Sequence, residues 1–326
     1  MNGDTGHPEL GHPELGLAEF LRARRELASP ADFGLPDAGR RRVRGLRREE
    51  VAMLAGVSTD YYVRLEQGRD RHPSEEILAA LAKVFGLGED ALAHMRQLAA
   101  PQRRRRRTVA KPERVSPGML RLLDQWSDQA VFVSSRFRDV LASTPLMTAL
   151  HPGLERDRNL TRALFLDPAE RDMYPDWERV AGDSVAWLRA GAGADADHPR
   201  LTEIVGELVL KSDDFARLWA RHDVRVKGSG TKRFRHPVVG DLTLGYETFT
   251  VNASEGQTLT AYHAEPGSPD ADALALLASH IATVGETATV GETVPTGEAV
   301  TIGEAAAIGD NGQHAEPERG RGLPSA

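Results

Sequence analysis

The stretch REEVAMLAGVSTDYYVRLEQ, residues 48–67, decides how the front of this chain folds. Its spacing predicts two short helices around a tight turn. Val51, Ala52 and Ala55 give the first helix a small apolar face, and Ala52 lets the second helix cross closely. Gly56 stands where a helix ends in the left-handed region, which glycine enters at little cost. Val57 fills the space between the helices. Ser58 is placed as the N-cap of the second helix, with Thr59 and Asp60 in its first turn. Tyr62 and Leu65 return to the core at a spacing of three, which leaves Thr59, Asp60, Val63 and Arg64 on the outer face. This is helix-turn-helix geometry, in which the second helix enters the major groove of double-stranded DNA.

The combination of Ala52, Gly56, Val57, Ser58, Tyr62 and Leu65 in register resembles the Xre/Cro-type helix-turn-helix family, and GRDRHPS at 68–74 resembles the loop and helix start that follow in it. The resemblance implies roles for named residues. Arg48, at the start of the first helix, would hold a phosphate with help from the helix dipole, with Arg47 beside it. Ser58 would cap the reading helix. Thr59 would pack on a thymine methyl, with Val63 beside it on the outer face. Asp60 would accept from a cytosine amine or only supplement the cap. Arg64 would read guanine O6 and N7. Arg69 and Arg71 would touch the backbone.

Charge supports a polyanion partner for this half alone. Residues 17–114 hold 21 basic and 14 acidic residues, whereas residues 115–326 hold 20 and 31. The net charge of -7 hides that segregation. Arg40–Arg42, Arg44 and Arg47 add basic residues in the Pro/Gly-rich loop before the motif. The run Arg103–Arg107 reads as an exposed linker that either adds sequence-blind, salt-dependent affinity or only spaces two domains. There is no cysteine, which excludes disulfides and thiolate chemistry and fits a cytoplasmic protein at the bacterial nucleoid. No apolar run is long enough to span a membrane.

Working outward, the expected organisation is a disordered tail at 1–16, an all-α DNA-binding domain at 17–100, a basic linker at 101–114, an α+β domain at 115–278 and a low-complexity tail at 279–326. The first tail carries GHPEL twice, at 6–10 and 11–15, whose His7 and His12 are a weak metal signal. The last carries glycines six apart from Gly285 to Gly309; five such hexapeptides are too few to stack a β-helix core. Helices are predicted near 17–27, 48–55, 59–67, 74–85 and 89–100. Between 115 and 221 the pattern reads as helical, interrupted by the apolar runs Ala130–Val133 and Val140–Leu141. After Val224 it alternates, through Leu242, Leu244, Tyr246, Phe249 and Val251 and then Leu259, Ala261 and His263, as antiparallel strands do. Asp270–Ser279 reads as a closing helix. Helices first and strands last suggest an α+β domain.

The second domain shows no P-loop, dinucleotide fingerprint or nucleophile elbow. His222-Asp223 matches the His-Asp doublet of metal phosphohydrolases, but no second pair accompanies it. His151, His198 and His236 each precede a proline and read as turn residues. LFLDP at 164–168, YPDW at 174–177, LWARHDV at 218–224, HPVVGDLTL at 236–244, Tyr246-Glu247 and AEPGS at 264–268 together resemble the MmyB-type ligand-binding domain. One departure is Thr144-Pro145, where that family tends to have asparagine before the proline.

The resemblance implies a PAS-like fold, an antiparallel sheet with helices on it, enclosing an apolar cavity for a fatty-acid-like ligand. Phe132, Phe165, Trp177, Trp187, Phe215, Trp219, Tyr246 and Phe249 would wall it, and Arg179, Arg221 or His222 would hold a carboxylate. The expected protein is a homodimeric, ligand-responsive regulator and not an enzyme, with no cofactor. Two rivals stand beside it: a second domain that only dimerises or recruits a protein, and an enzyme centred on His222 and Asp223.

Overall fold

The computed structural model describes residues 16–35, 45–100 and 113–290, apart from 194, 196, 197, 227, 253 and 255. The tail at 1–15, the arginines at 40–42 and 44, the run Arg103–Arg107 and most of the glycine repeat lie outside the described residues.

Five helices build the first domain: α1 (Leu17–Leu27), α2 (Arg48–Ala55), α3 (Thr59–Glu66), α4 (Glu75–Val84) and α5 (Glu89–Ala99). Within the loop after α1, Pro30–Phe33 forms a 3-10 turn. One core joins them, with Phe20 and Leu21 of α1, Val51 and Ala52 of α2, Tyr62 and Leu65 of α3, Leu81 of α4 and Met95 of α5 buried together. Gly45 permits a close approach, because a Cβ there would lie 2.3 Å from the Arg25 carbonyl oxygen.

In the second domain α6 (Pro117–Gln125) precedes the hairpin β1 (Ala130–Ser134) and β2 (Val140–Ser143). Helices α7 (Pro145–Leu150), α8 (Leu160–Leu166), α9 (Pro168–Asp172), α10 (Trp177–Ala192), α11 (Pro199–Lys211) and α12 (Asp213–Trp219) follow. Strands β3 (Ser229–His236), β4 (Gly240–Thr250) and β5 (Thr258–His263) come next, and α13 (Pro269–Val290) closes the described chain. The strands form one antiparallel five-stranded sheet in the order β2-β1-β5-β4-β3.

Two expectations change here. The apolar runs at 130–133 and 140–141 are strands, so strands both precede and follow the helices. The reason is burial on both faces: Ala130 and Phe132 face the main core, while Val131 and Val133 face a second cluster with Leu123 of α6 and Leu259. Such a strand is a continuous apolar run with no alternation to read. The closing helix also runs on to Val290, into the start of the glycine repeat.

Thr144, the departure noted above, is 1 % exposed. Its Oγ1 accepts from the Val131 N–H (3.1 Å) and the Met147 N–H (3.3 Å), so it ties β1 to the start of α7. No described helix is long and apolar enough to cross a membrane.

Candidate nucleic-acid interface and ligand cavity

The turn between α2 and α3 is built as its residues dictate. Gly56 has φ 70°, and the Val57 N–H donates to the Ala52 carbonyl at 3.0 Å. Ser58 Oγ accepts from the Tyr61 N–H at 3.2 Å, closing the first turn of α3. At the start of α2, Glu50 Oε2 accepts from the Arg47 N–H at 2.6 Å. Val51, Ala52, Tyr62 and Leu65 are buried between the helices, and Thr59, Asp60, Val63 and Arg64 lie on the outer face, Thr59 and Asp60 exposed and Val63 and Arg64 partly so. Arg64 pairs with Asp60 across one helical turn, and its guanidinium lies 5.8 Å from the Tyr61 ring centroid. Arg69 and Arg71 are exposed in the following loop, where Arg71 Nε donates to the Gly68 carbonyl at 3.1 Å.

Arg48, expected to clamp a phosphate, is half-exposed at the start of α2 and also bonds inward. Its Nε donates to Glu66 Oε1 at 2.9 Å, and Arg25 grips the same carboxylate through Nε (2.7 Å) and Nη2 (3.0 Å). Glu66 ends α3 on its inner face and is fully buried, so its charge needs cations where water cannot reach. Burial alone would raise the Glu66 pKa; the hydrogen bonds from Arg25 and Arg48 outweigh it and hold the carboxyl below its ordinary range. The signal was present in the sequence, since Glu66 follows Tyr62 by four residues and shares its inward face.

The two domains meet through α1. Arg24 Nη1 donates to Asp223 at 3.1 Å, and its Nη2 to the His222 carbonyl at 3.0 Å. The His222 ring stands edge-on to Phe20, and Arg189 of α10 lies 3.2 Å from His222 Nδ1. Burial, with Arg189 and Arg24 nearby, pushes the imidazoles of His222 and His94 down to about 3 and about 4. His222 and Asp223 therefore belong to this seam. Arg221 also pairs there with Asp223, at 2.9 Å. Among the described residues no group of three or more metal-ligating side chains converges, at this doublet or elsewhere.

The cavity of the second domain lies between the sheet and α8–α10. It is small, about 30 Å³. Phe132, Trp187 and Tyr246 line it. The other expected residues sit elsewhere. Phe165, Trp177, Phe215 and Trp219 pack in a chain in the helical core, edge-to-face about Phe165 and stacked between Phe215 and Trp219, with ring centroids 5.2–5.6 Å apart. Arg179 is half-exposed against Asp176 and Asp183, and Phe249 is 56 % exposed. Aromatic residues at helical spacing filled the core between helices instead of facing the sheet.

Charged groups line the cavity instead. His151, which its proline marked as a turn residue, is 1 % exposed there, with Nδ1 3.0 Å from Glu170 Oε1. Tyr174 donates to the same oxygen at 3.1 Å. Burial alone would raise the Glu170 pKa, but these partners hold it down. Arg138 and Lys232 complete the lining. Arg138 stacks 3.9 Å from the Trp187 ring centroid, and Lys232 Nζ lies 5.4 and 5.8 Å from the rings of Tyr174 and Tyr262.

Comparison with known families follows these boundaries. Residues 17–95 match the model of a helix-turn-helix domain, and residues 115–277 match that of the MmyB-like transcription regulator ligand binding domain. No curated protein matches the chain. A helix-turn-helix in front of a domain that accounts for half of the sequence places the chain in the family of MmyB-like transcription regulators, and it is a DNA-binding protein of that family.

Proposed function

We propose that this protein is a sequence-specific regulator that lays α3 in the major groove and responds to a small molecule bound in its second domain. The observation that carries the DNA reading is the Gly56–Ser58 turn, which leaves Thr59, Asp60, Val63 and Arg64 outward on a rigid helix. Arg64, with Arg47, Arg69 and Arg71 around it, supplies one base reader and several backbone contacts. Acting as a homodimer, the protein would present two such helices to half-sites about 34 Å apart. A protein that works on DNA would reside at the nucleoid in the cytoplasm.

A PAS-like reading of the second domain is supported by the antiparallel order β2-β1-β5-β4-β3, with six helices inserted between β2 and β3. The cavity between that sheet and those helices is the natural ligand site. Its volume speaks against a fatty-acyl chain, since about 30 Å³ leaves room for only a few heavy atoms. The same filled core favours a second reading, in which this domain serves only to dimerise or recruit a partner.

The test starts with selection of duplexes from a random pool by the full-length protein, followed by fluorescence anisotropy on the winner. Arg64→Ala should weaken binding by about 1–3 kcal/mol and relax preference at one base pair. Unchanged affinity and sequence preference would rule out this docking.

A further inference from the structure

We propose that the cavity of the second domain is a site for a compact monocarboxylate, an anion the size of acetate, held between Arg138 and Lys232. The inference rests on the ligand-responsive reading above and names the ligand class that the site would take.

Arg138 sits in the β1–β2 turn with φ 72°, a conformation that side-chain-bearing residues seldom adopt. Two backbone bonds hold it there: its N–H donates to the Ser135 carbonyl, and its carbonyl accepts from the Leu160 N–H, both at 3.0 Å. The strain places an arginine only 5 % exposed against the cavity. Its Nε and Nη1 are buried with no hydrogen-bond partner among the described residues. Lys232 reaches the same space from β3, on the inward parity shared with Phe234 and His236. No carboxylate of the described residues lies within salt-bridge distance of either cation.

The lining therefore holds two cations against one carboxylate, Glu170, whose buried Oε2 has no hydrogen-bond partner among the described residues. Glu170 is bound through Oε1 to His151 and Tyr174, and its Oε2 is packed against Gly153, where a Cβ would come within 2.6 Å. Burial lowers the pKa of Arg138 to about 10 and of Lys232 to about 8, so both remain charged at neutral pH. The buried charge of Arg138, with the half-buried Lys232 beside it, calls for a counter-ion. A carboxylate matches the flat donor edge of a guanidinium and the point charge of an ammonium together. Phe132, Leu164 and Val180 offer an apolar wall for a methyl group. The volume admits a few heavy atoms and no chain.

The experiment is calorimetric titration of the full-length protein with sodium acetate, with sodium chloride at matched ionic strength and sodium decanoate as comparisons. Acetate should bind, and Arg138→Met and Lys232→Met should each weaken it about tenfold or more, as loss of a charge-assisted bond does. The two replacements approach the site from the β1–β2 turn and from β3, so one can report if the other fails to fold. No acetate binding, binding undiminished in both variants, or an equal response to chloride would overturn the proposal. Decanoate binding tenfold tighter than acetate would overturn it too, by pointing to the headgroup of an amphiphile. Binding of the selected duplex, measured on the same samples, separates failure of this site from failure of the regulator reading.

Discussion

Replacing Glu66 with alanine tests whether the recognition helix is held by a buried ion triad. Glu66 is fully buried and binds Arg25 at 2.7 and 3.0 Å and Arg48 at 2.9 Å. Arg48 is half-exposed and falls back into water when its partner goes. Arg25 is 5 % exposed and keeps only its neighbour Glu26 and the Leu46 carbonyl, at 3.1 Å, so it becomes a buried cation without adequate compensation. Breaking a buried pair from one side costs about 3–5 kcal/mol. Whole domains are stable by only about 5–15 kcal/mol, so the first domain should lose a fifth or more of its stability. The control is Arg25→Met with Glu66→Leu, which removes both buried charges and should come out near neutral or stabilising. Urea unfolding can separate the domains. The four tryptophans, 126, 177, 187 and 219, all lie in the second, so their fluorescence follows that domain while far-UV circular dichroism follows both. A Glu66→Ala loss under about 1 kcal/mol, or a double variant as damaged as the single, would refute the triad as a structural element.

Two shorter predictions follow from the same electrostatics. Asp60→Ala frees Arg64 from an exposed ion pair, so stability should change by less than about 0.5 kcal/mol while the ranking of duplexes changes; a change in stability with the ranking untouched would argue against a base-reading role. His94 is 5 % exposed with its pKa depressed to about 4, against about 6.5 when unfolded. The unfolded chain then takes up the proton first, so stability is intact above about pH 6.5 and falls as the pH drops toward 4, by about 2 kcal/mol at pH 5. His94→Gln should flatten melting temperature between pH 7 and 5, and an unchanged slope would place the acid sensitivity elsewhere, with His222 the next group to test.

The first domain was legible because its decisive residues act locally. Gly56 and Ser58 each set a backbone conformation with no help from distant chain, so the turn and both helices appear in twenty residues of sequence. Glu66 was legible in principle, as a charge on the face of Tyr62 and Leu65, and its partner Arg25, 41 residues away, was not. The β1–β2 hairpin was hidden because both of its faces are buried. The cavity was hidden for a different reason. In sequence a buried arginine or a half-buried lysine looks like a surface one, and only the fold brings Arg138 and Lys232 to one space 94 residues apart. The aromatic residues expected to wall it were apolar enough to line it, yet half of the eight pack against each other, where large rings gain more contact.

Regulation requires that the cavity and the recognition helix bias one another, and α1 and α10 join them physically. Trp187 of α10 lies under the Arg138 guanidinium, and Arg189 two residues later donates to the Trp219 carbonyl at 2.5 Å and meets His222. Arg24 of α1 takes the His222 carbonyl and Asp223, while its neighbour Arg25 grips Glu66 at the end of α3. Adjacent arginines on one helix thus reach into the second domain and into the recognition helix. Contact alone does not establish coupling, which is a free energy shared by two ligands. That free energy is reciprocal, so if acetate changes duplex affinity by some factor, duplex must change acetate affinity by the same factor. Arg24→Ala should bring both factors toward one while each ligand still binds alone. If both factors survive Arg24→Ala unchanged, the seam at His222 is only packing and the coupling runs by another route, such as a change in how two protomers are spaced.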